Sequence, residues 1–302
     1  MGAGHHHGPA GHAGAHHRWR LATTFVLVAA FLVVELTVGL VSGSLALVSD
    51  AGHMAADVVA LGAALAATKI AGRPDPTGRR TYGSYRAEIF ASGFTVLVML
   101  GLAAYVVVEA IGRLGSDVEV PSGPLLLVGS LGLVVNVVSL MLLRSGAEES
   151  LNVKGAYYEV VADAAGSVGV IAAGLLVRLT GAGWWDTAVA LAIGVFVAVR
   201  AAVLGREVLA VLGQHVPEGM RVDDVVADLE AVDGVADVHD LHLWTLTSGM
   251  HVATAHLVLA ADGDAQQVLD GARRVLREHH GVEHATLQVE TTVTRECEDT
   301  TW

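Results

Sequence analysis

Two short stretches place metal-ligand side chains inside otherwise apolar sequence. Residues 49–61 (SDAGHMAADVVAL) carry Asp50, His53 and Asp57, and residues 156–167 (AYYEVVADAAGS) carry Glu159 and Asp163. His53 and Asp57 are four residues apart and Asp50 precedes His53 by three, so the three share one helical face; Glu159 and Asp163 repeat the four-residue spacing. Two helices, each presenting such a pair one turn apart, can close a four-ligand cage. One imidazole nitrogen with carboxylate oxygens suits a divalent cation, and four such donors in a tetrahedron are what zinc prefers. A charged group at the centre of a bilayer costs about 2.5 kcal/mol or more, so it is rarely there by accident. A lone carboxylate near a helix end snorkels or caps the next turn, and Asp50 stands as an accessory on those terms. Glu35, Glu88 and Glu109 read as interfacial or paired to arginine, and Asn136 as a hydrogen bond across the bundle. Two pairs at depth with matching spacing read as a metal site.

The elements that must position these residues follow from composition. The chain has 302 residues, 53% hydrophobic and 16% charged, with a mean hydropathy of +0.55. Soluble proteins carry about 25% charged residues, so a plain cytosolic enzyme is excluded, and so is disorder. Six apolar stretches, near 21–41, 46–70, 87–113, 122–143, 155–178 and 187–211, each reach the roughly 20 residues that cross a bilayer as a helix. They are continuous and do not alternate, which excludes a β-barrel. Small residues, Gly39, Gly43, Gly52, Gly166 and Gly169, predict close helix packing around the metal-ligand pairs. Basic residues gather beside alternate loops: Arg18 and Arg20; Lys69, Arg73, Arg79, Arg80 and Arg86; Arg144 and Lys154; Arg200 and Arg206. That asymmetry predicts a multi-pass protein of the cytoplasmic (inner) membrane with both termini in the cytoplasm.

Residues 213–302 hold 17 of the 31 acidic and 5 of the 18 basic residues, a balance that repels nucleic acid. Helical spacing over 221–231 and 265–280, with alternation over 235–246, 251–259 and 285–293, predicts an αββαβ unit with helices on one face of a sheet. His239, His242, His251 and His256 lie on its first two strands, and His284 and Glu290 on the third. A lone histidine on a strand is usually an ordinary sheet residue; five in one small domain point to metal. His242 and Asp240 share a face turned away from His239. The single cysteine, Cys297, excludes a disulfide framework or a cysteine-rich zinc module. Residues 1–17 are rich in His and Gly, a low-affinity metal collector or a solvated tail.

Four segments resemble the cation diffusion facilitator family, in its zinc-transporting branch: GLVSGSLALVSDAGHMAADVVAL (39–61), RRTYGSYRAEI (79–89), SLNVKGAYYEVVADAAGSVGVI (150–171) and VADVHDLHLWTLTSGMHVATAHL (235–257). The resemblance runs from about Arg18 to Glu290. It implies six transmembrane helices (18–212) after the tail 1–17, then a small cytosolic α/β, ferredoxin-like domain (213–295) that dimerises, and a short tail (296–302). It also implies export of divalent metal in exchange for protons by a homodimer in the lipid bilayer. It places the transport site at His53, Asp57, Glu159 and Asp163, and a cytosolic regulatory metal site at His239, His256 and Glu290. One position departs from the pattern: Glu159 stands where zinc members usually have histidine.

Zinc is the expected cargo because His53 is kept. The extra carboxylate opens the site to manganese, cobalt, cadmium or iron(II). Metal needs a neutral imidazole and ionised carboxylates, so metal and protons compete for one site. There is no G-x-x-x-x-G-K-[ST] loop to bind ATP and no H-E-x-x-H segment, and a closed four-ligand cage leaves no position for catalytic water; the chain reads as no enzyme. A membrane-bound metal sensor without transport is the rival of another class.

Overall fold

The computed structural model describes residues 18–71, 77–113, 119–147, 151–247 and 249–292. The His-rich stretch 1–17, Arg73, Cys297 and the tail 296–302 lie outside the described residues. Six long helices come first: α1 (Arg18–Ser42), α2 (Leu45–Ala71), α3 (Ala87–Gly112), α4 (Ser122–Ala147), α5 (Leu151–Thr180) and α6 (Trp184–Leu212). Continuous apolar sequence favours helix because every backbone group is then satisfied within its own segment, which a bilayer demands. Even the shortest, α1 with 25 residues, is about 37 Å long and exceeds a hydrocarbon core of about 30 Å. Among the described residues, five helices (α1, α3, α4, α5 and α6) are long and apolar enough to cross a membrane; α2 carries Asp50, His53 and Asp57. α1 stops where Gly43 takes a φ of 69°, a left-handed turn that leads directly into α2.

The chain divides into two compact units, Met1–Gly62 with Thr95–Ala202, and Ala63–Phe94 with Val203–Trp302. In the first, α4 packs most extensively on α5 and then on α1. Its interior is built from Phe31, Leu47, Met54, Val106, Leu125 and Val170 with small alanines. A second cluster joins Ala56 to Met99 and to Ile193, Val197 and Ala201 of α6. Large apolar side chains point outward, among them Leu179 at 80% and Leu127 at 74% exposure, a surface that water would penalise and lipid accepts. The glycine expectation holds unevenly. A Cβ on Gly166 would strike the Asp50 carboxylate, and one on Gly52 would strike Leu102; on Gly39 it would lie 3.1 Å from the Val48 nitrogen. On Gly169 it would meet only Val189 at an ordinary 3.5 Å.

The second unit contains the αββαβ order the sequence predicts: α7 (Val222–Glu230), β1 (Val235–Thr247), β2 (Met250–Leu259), α8 (Ala265–His280) and β3 (His284–Glu290). The sheet order is β1-β2-β3, antiparallel then parallel, with α8 as the crossover between the parallel pair. β3 ends at Glu290, short of the expected Val293. Asp264 caps α8 by accepting from the Gln267 N–H at 2.9 Å. α8 buries Val268, Ala272 and Leu276, one residue per turn, against Val225 and Leu229 of α7 and Leu257 of β2. His279 and His280 both bond the Asp228 carboxylate, at 3.2 and 2.9 Å, and hold its pKa below the ordinary carboxylate value. That tie between α7 and α8 is present above the ordinary range and is lost as pH falls through the lowered value.

Candidate metal centre

α2 must enter at a fixed angle if its side chains are to converge with those of α5, and a buried carboxylate sets that angle. Asp186, in the first turn of α6, accepts from the Ser44 hydroxyl at 2.6 Å, from the Leu45 N–H at 2.7 Å and from the Ala46 N–H at 3.2 Å. These are the orphan donors of the α2 N-terminus, and an anion there also favours the helix dipole. Arg113 adds a charge 3.5 Å from the same carboxylate and donates to the Gly43 carbonyl at 3.0 Å. Arg113 also pairs with Glu109 at 3.3 Å, as the sequence predicts for that glutamate.

Two turns along α2 lies His53, 2% exposed. Its Nε2 stands 3.8 Å from Asp57 Oδ2 and 3.8 Å from Asp163 Oδ1. The three donor atoms lie within 4.8 Å of one another, a spacing that can hold a metal ion. Around zinc at bond lengths of about 2.0–2.2 Å, tetrahedral donors sit roughly 3.3–3.6 Å apart, so each of the two His53–carboxylate distances needs to shorten by only a few tenths of an ångström. Asp57 Oδ2 and Asp163 Oδ1 are buried and have no hydrogen-bond donor among the described residues. Buried carboxylate oxygens without donors are costly, and a cation or a proton removes that cost.

Glu159 is placed differently. Its side chain is 45% exposed, it is outside the trio, and its carboxylate accepts from Arg200 Nη2 at 2.7 Å. The same guanidinium reaches His53 Nε2 at 3.3 Å and Asp57 Oδ1 at 3.8 Å. Arg200 counted in the sequence as one of the basic residues flanking a loop; the structure turns its side chain into the cluster. Phe196, one turn earlier on α6, sets its ring edge-on to His53 with centroids 5.7 Å apart.

Asp50 does not cap or snorkel. It is 1% exposed, beside Gly166 of α5. Glu35, read as interfacial, is wholly buried, and its carboxyl lies within hydrogen-bonding reach of that of Asp50, so the two can share a proton. Asn136 donates to the Ser167 hydroxyl at 3.3 Å, the cross-helix bond expected of it. Glu88 accepts from the Thr247 hydroxyl at 2.9 Å in place of an arginine.

In the sheet, His239 and His256 are cross-strand partners, their rings edge-to-face at 5.2 Å. Glu290 joins them from β3: Oε2 is 3.5 Å from His239 Nε2 and Oε1 is 3.2 Å from His256 Nδ1. Both ring nitrogens of His239 are buried without a hydrogen bond, and the three residues can hold a metal ion. A register shift between His239 and His242 puts Asp240 at a φ of 52°. One Asp240 oxygen then meets His242 at 3.0 Å, the shared face expected, while the other lies 3.7 Å from His256. His251 bonds Thr245 at 3.1 Å and His284 meets the Tyr82 ring edge-to-face at 5.5 Å; neither belongs to the cluster.

Sequence reasoning passed over Asp186 and Arg200. Asp186 had a signal, an acidic residue opening an apolar helix, but its partners lie about 140 positions away. Arg200 had one too: a charge four residues after Phe196 within an apolar run.

A helical membrane domain whose His53, Asp57 and Asp163 could hold a metal ion, followed by an αββαβ domain, is an arrangement that fits a metal-ion carrier. Residues 21–212 match the cation efflux transmembrane domain and residues 217–292 match the cation efflux protein cytoplasmic domain. The chain belongs to the cation diffusion facilitator family and is a metal cation efflux transporter. It is 42% identical to the metal cation efflux system protein CzcD of Cupriavidus metallidurans, over 96% of this chain and 90% of the relative. It is 32% identical to the cadmium, cobalt and zinc/H(+)-K(+) antiporter of Bacillus subtilis, over 90% and 88% of the two chains. It is 33% identical to the zinc transporter ZitB of Escherichia coli, over 90% and 87%.

Replacing Asp186 by alanine leaves the buried N-terminal donors of α2 without an acceptor. We expect Asp186→Ala to lower the stability of the solubilised protein by about 1–3 kcal/mol and to weaken metal binding, although Asp186 is not in the trio. A thermal melt and a zinc titration that both match wild type would contradict this.

Proposed function

We propose that the chain exports divalent metal from the cytoplasm in exchange for protons, with zinc as its principal cargo. The observation that carries this reading is the trio of buried His53, half-buried Asp57 and buried Asp163, in which Asp57 Oδ2 and Asp163 Oδ1 face one imidazole nitrogen with no hydrogen-bond donor among the described residues. Each donor must shed its proton to bind metal, so loading metal expels protons and taking up protons expels metal. A site open to the cytoplasm exchanges protons for metal, and the same site open to the far side reverses the exchange. Inward proton flow thereby drives metal out.

Zinc leads because an imidazole and two carboxylates form a mixed N/O set that zinc accepts at short bond lengths. The names of two relatives, a zinc transporter and a cadmium, cobalt and zinc antiporter, support that range. The second reading, a preference for manganese, cobalt, cadmium or iron(II), has Glu159 in its favour as a further carboxylate beside the trio. Competition between metals in a transport assay separates the two.

The protein works as a homodimer through its C-terminal domain, with both termini in the cytoplasm of an inner-membrane topology. His239, His256 and Glu290 would hold a metal there, and the metal would tie all three strands of the sheet together. On this reading zinc changes the geometry between the paired domains. Small-angle scattering of the 213–302 fragment should therefore differ with zinc and with chelator; identical profiles count against a regulatory role.

The direct test of transport is zinc flux into proteoliposomes under an imposed pH gradient. Wild type should move zinc against the proton flow, and Asp163→Ala should insert normally and move none. Wild-type flux in Asp163→Ala would sink the site assignment. Zinc binding without flux under any gradient would instead favour a sensor.

A further inference from the structure

Arg200 is the one cation among the described residues that contacts both Glu159 and the trio, and it is aimed at the same atom a metal would use. α6 carries Phe196 and Arg200 at i and i+4, on one face, and both side chains bear on His53. The guanidinium has five N–H donors and no acceptor, so at 3.3 Å from His53 Nε2 the imidazole must be the acceptor. The lone pair that a metal would take from Nε2 is the one that Arg200 engages. The other arm of the fork holds Glu159 at 2.7 Å and approaches Asp57 at 3.8 Å. The ring of Phe196 lies under the guanidinium at 5.9 Å, a favourable face for a cation. Arginine stays charged at any physiological pH, so this cation cannot be removed by a proton.

We propose that Arg200 tunes the transport site in two ways: it lowers affinity by competing with cargo for the His53 Nε2 lone pair, and it sets cation specificity by withholding the Glu159 carboxylate from the metal. The inference rests on the reading of His53, Asp57 and Asp163 as the transport site. Competition for Nε2 weakens every metal by a similar factor and keeps the site from holding its cargo too tightly to release it. Withholding Glu159 acts selectively. With Arg200 engaged, the donor set is one nitrogen and two carboxylates. With Arg200 removed, Glu159 becomes available as a further hard oxygen donor, which benefits manganese more than zinc. Arg200 therefore offsets the departure that Glu159 introduces.

The test is zinc binding to the full-length protein, with manganese as competitor, in a His256→Ala background that removes the cytosolic cluster. Arg200→Ala and Arg200→Gln are compared with the parent and with Asp163→Ala. A hydrogen bond to a charged group is strong enough that zinc should bind about tenfold tighter, or more, in either Arg200 variant. Manganese should displace zinc at a lower ratio of manganese to zinc than in the parent. Unchanged or weaker zinc affinity, or an unchanged displacement ratio, in whichever variant folds would overturn the proposal; an arginine that only braces the helices would move the melting temperature and leave the ratio alone. If Asp163→Ala binds zinc like the parent, the site assignment itself fails. If it loses zinc while the Arg200 variants match the parent, only the role of Arg200 fails.

Discussion

Negative charge that cannot be left unmatched in a low-dielectric interior is the constraint on which the membrane domain is organised. Glu35, Asp50 and Asp163 are each at most 5% exposed, the Asp57 carboxylate lies within 4.8 Å of Asp163, and Glu159 shares the Arg200 guanidinium with Asp57. Water solvates a carboxylate cheaply, whereas an apolar interior does so only with donors, a counter-ion or a proton. The structure supplies few donors: among the described residues none reaches Asp57 Oδ2 or Asp163 Oδ1. Arg200 is the fixed counter-charge beside the trio, and on the proposed function a divalent cation is the mobile one. A site whose charge is balanced by exchangeable partners is suited to carriage, because neither partner is bonded so completely that it cannot leave.

That arrangement depends on helix geometry set at a distance from it. His53 and Asp57 face Asp163 only because α2 starts where Asp186 and Arg113 fix it and because Gly166 lets Asp50 lie against α5. The polar groups of Asp186 are all engaged, in contrast to those of the trio. One carboxylate thus holds a helix end, while on the proposed function the carboxylates of the trio are kept for the ion. The sheet of the C-terminal domain repeats the logic at smaller scale: β1, β2 and β3 each give one ligand-type side chain, and the bulge at Asp240 brings a fourth polar group beside them.

Most of the architecture was legible in the sequence because it follows from short-range pattern. Apolar run length marked all six long helices, and strand alternation with the Thr247–Gly249 turn marked β1 and β2. The pairing of His53 with Asp57 followed from a four-residue spacing. What the sequence could not convey was long-range. Asp186 caps a helix that begins about 140 residues earlier, and no local rule points from one to the other. Charge counting assigned Arg200 to a membrane edge, since periodicity says which face a residue occupies but not which neighbour draws in a long side chain. Glu35 and Asp50 looked interfacial by position along their helices, whereas packing against neighbouring helices buries both. Asp240 was expected on the His242 side alone, and the bulge that turns it to His256 as well has no signature in the alternation.

The central claim, that one buried trio binds metal at the expense of protons, is tested most directly by calorimetric zinc titration in buffers of different ionisation enthalpy. The protein would be full-length, with His239 and His256 both replaced by alanine to remove the cytosolic cluster, and the membrane site is read as the difference from an Asp57→Ala variant that keeps the same His-rich stretch 1–17. The account predicts one zinc per chain with net release of protons, and loss of that binding in the Asp57→Ala variant. Zinc binding that survives Asp57→Ala unchanged, or that releases no protons, would contradict it.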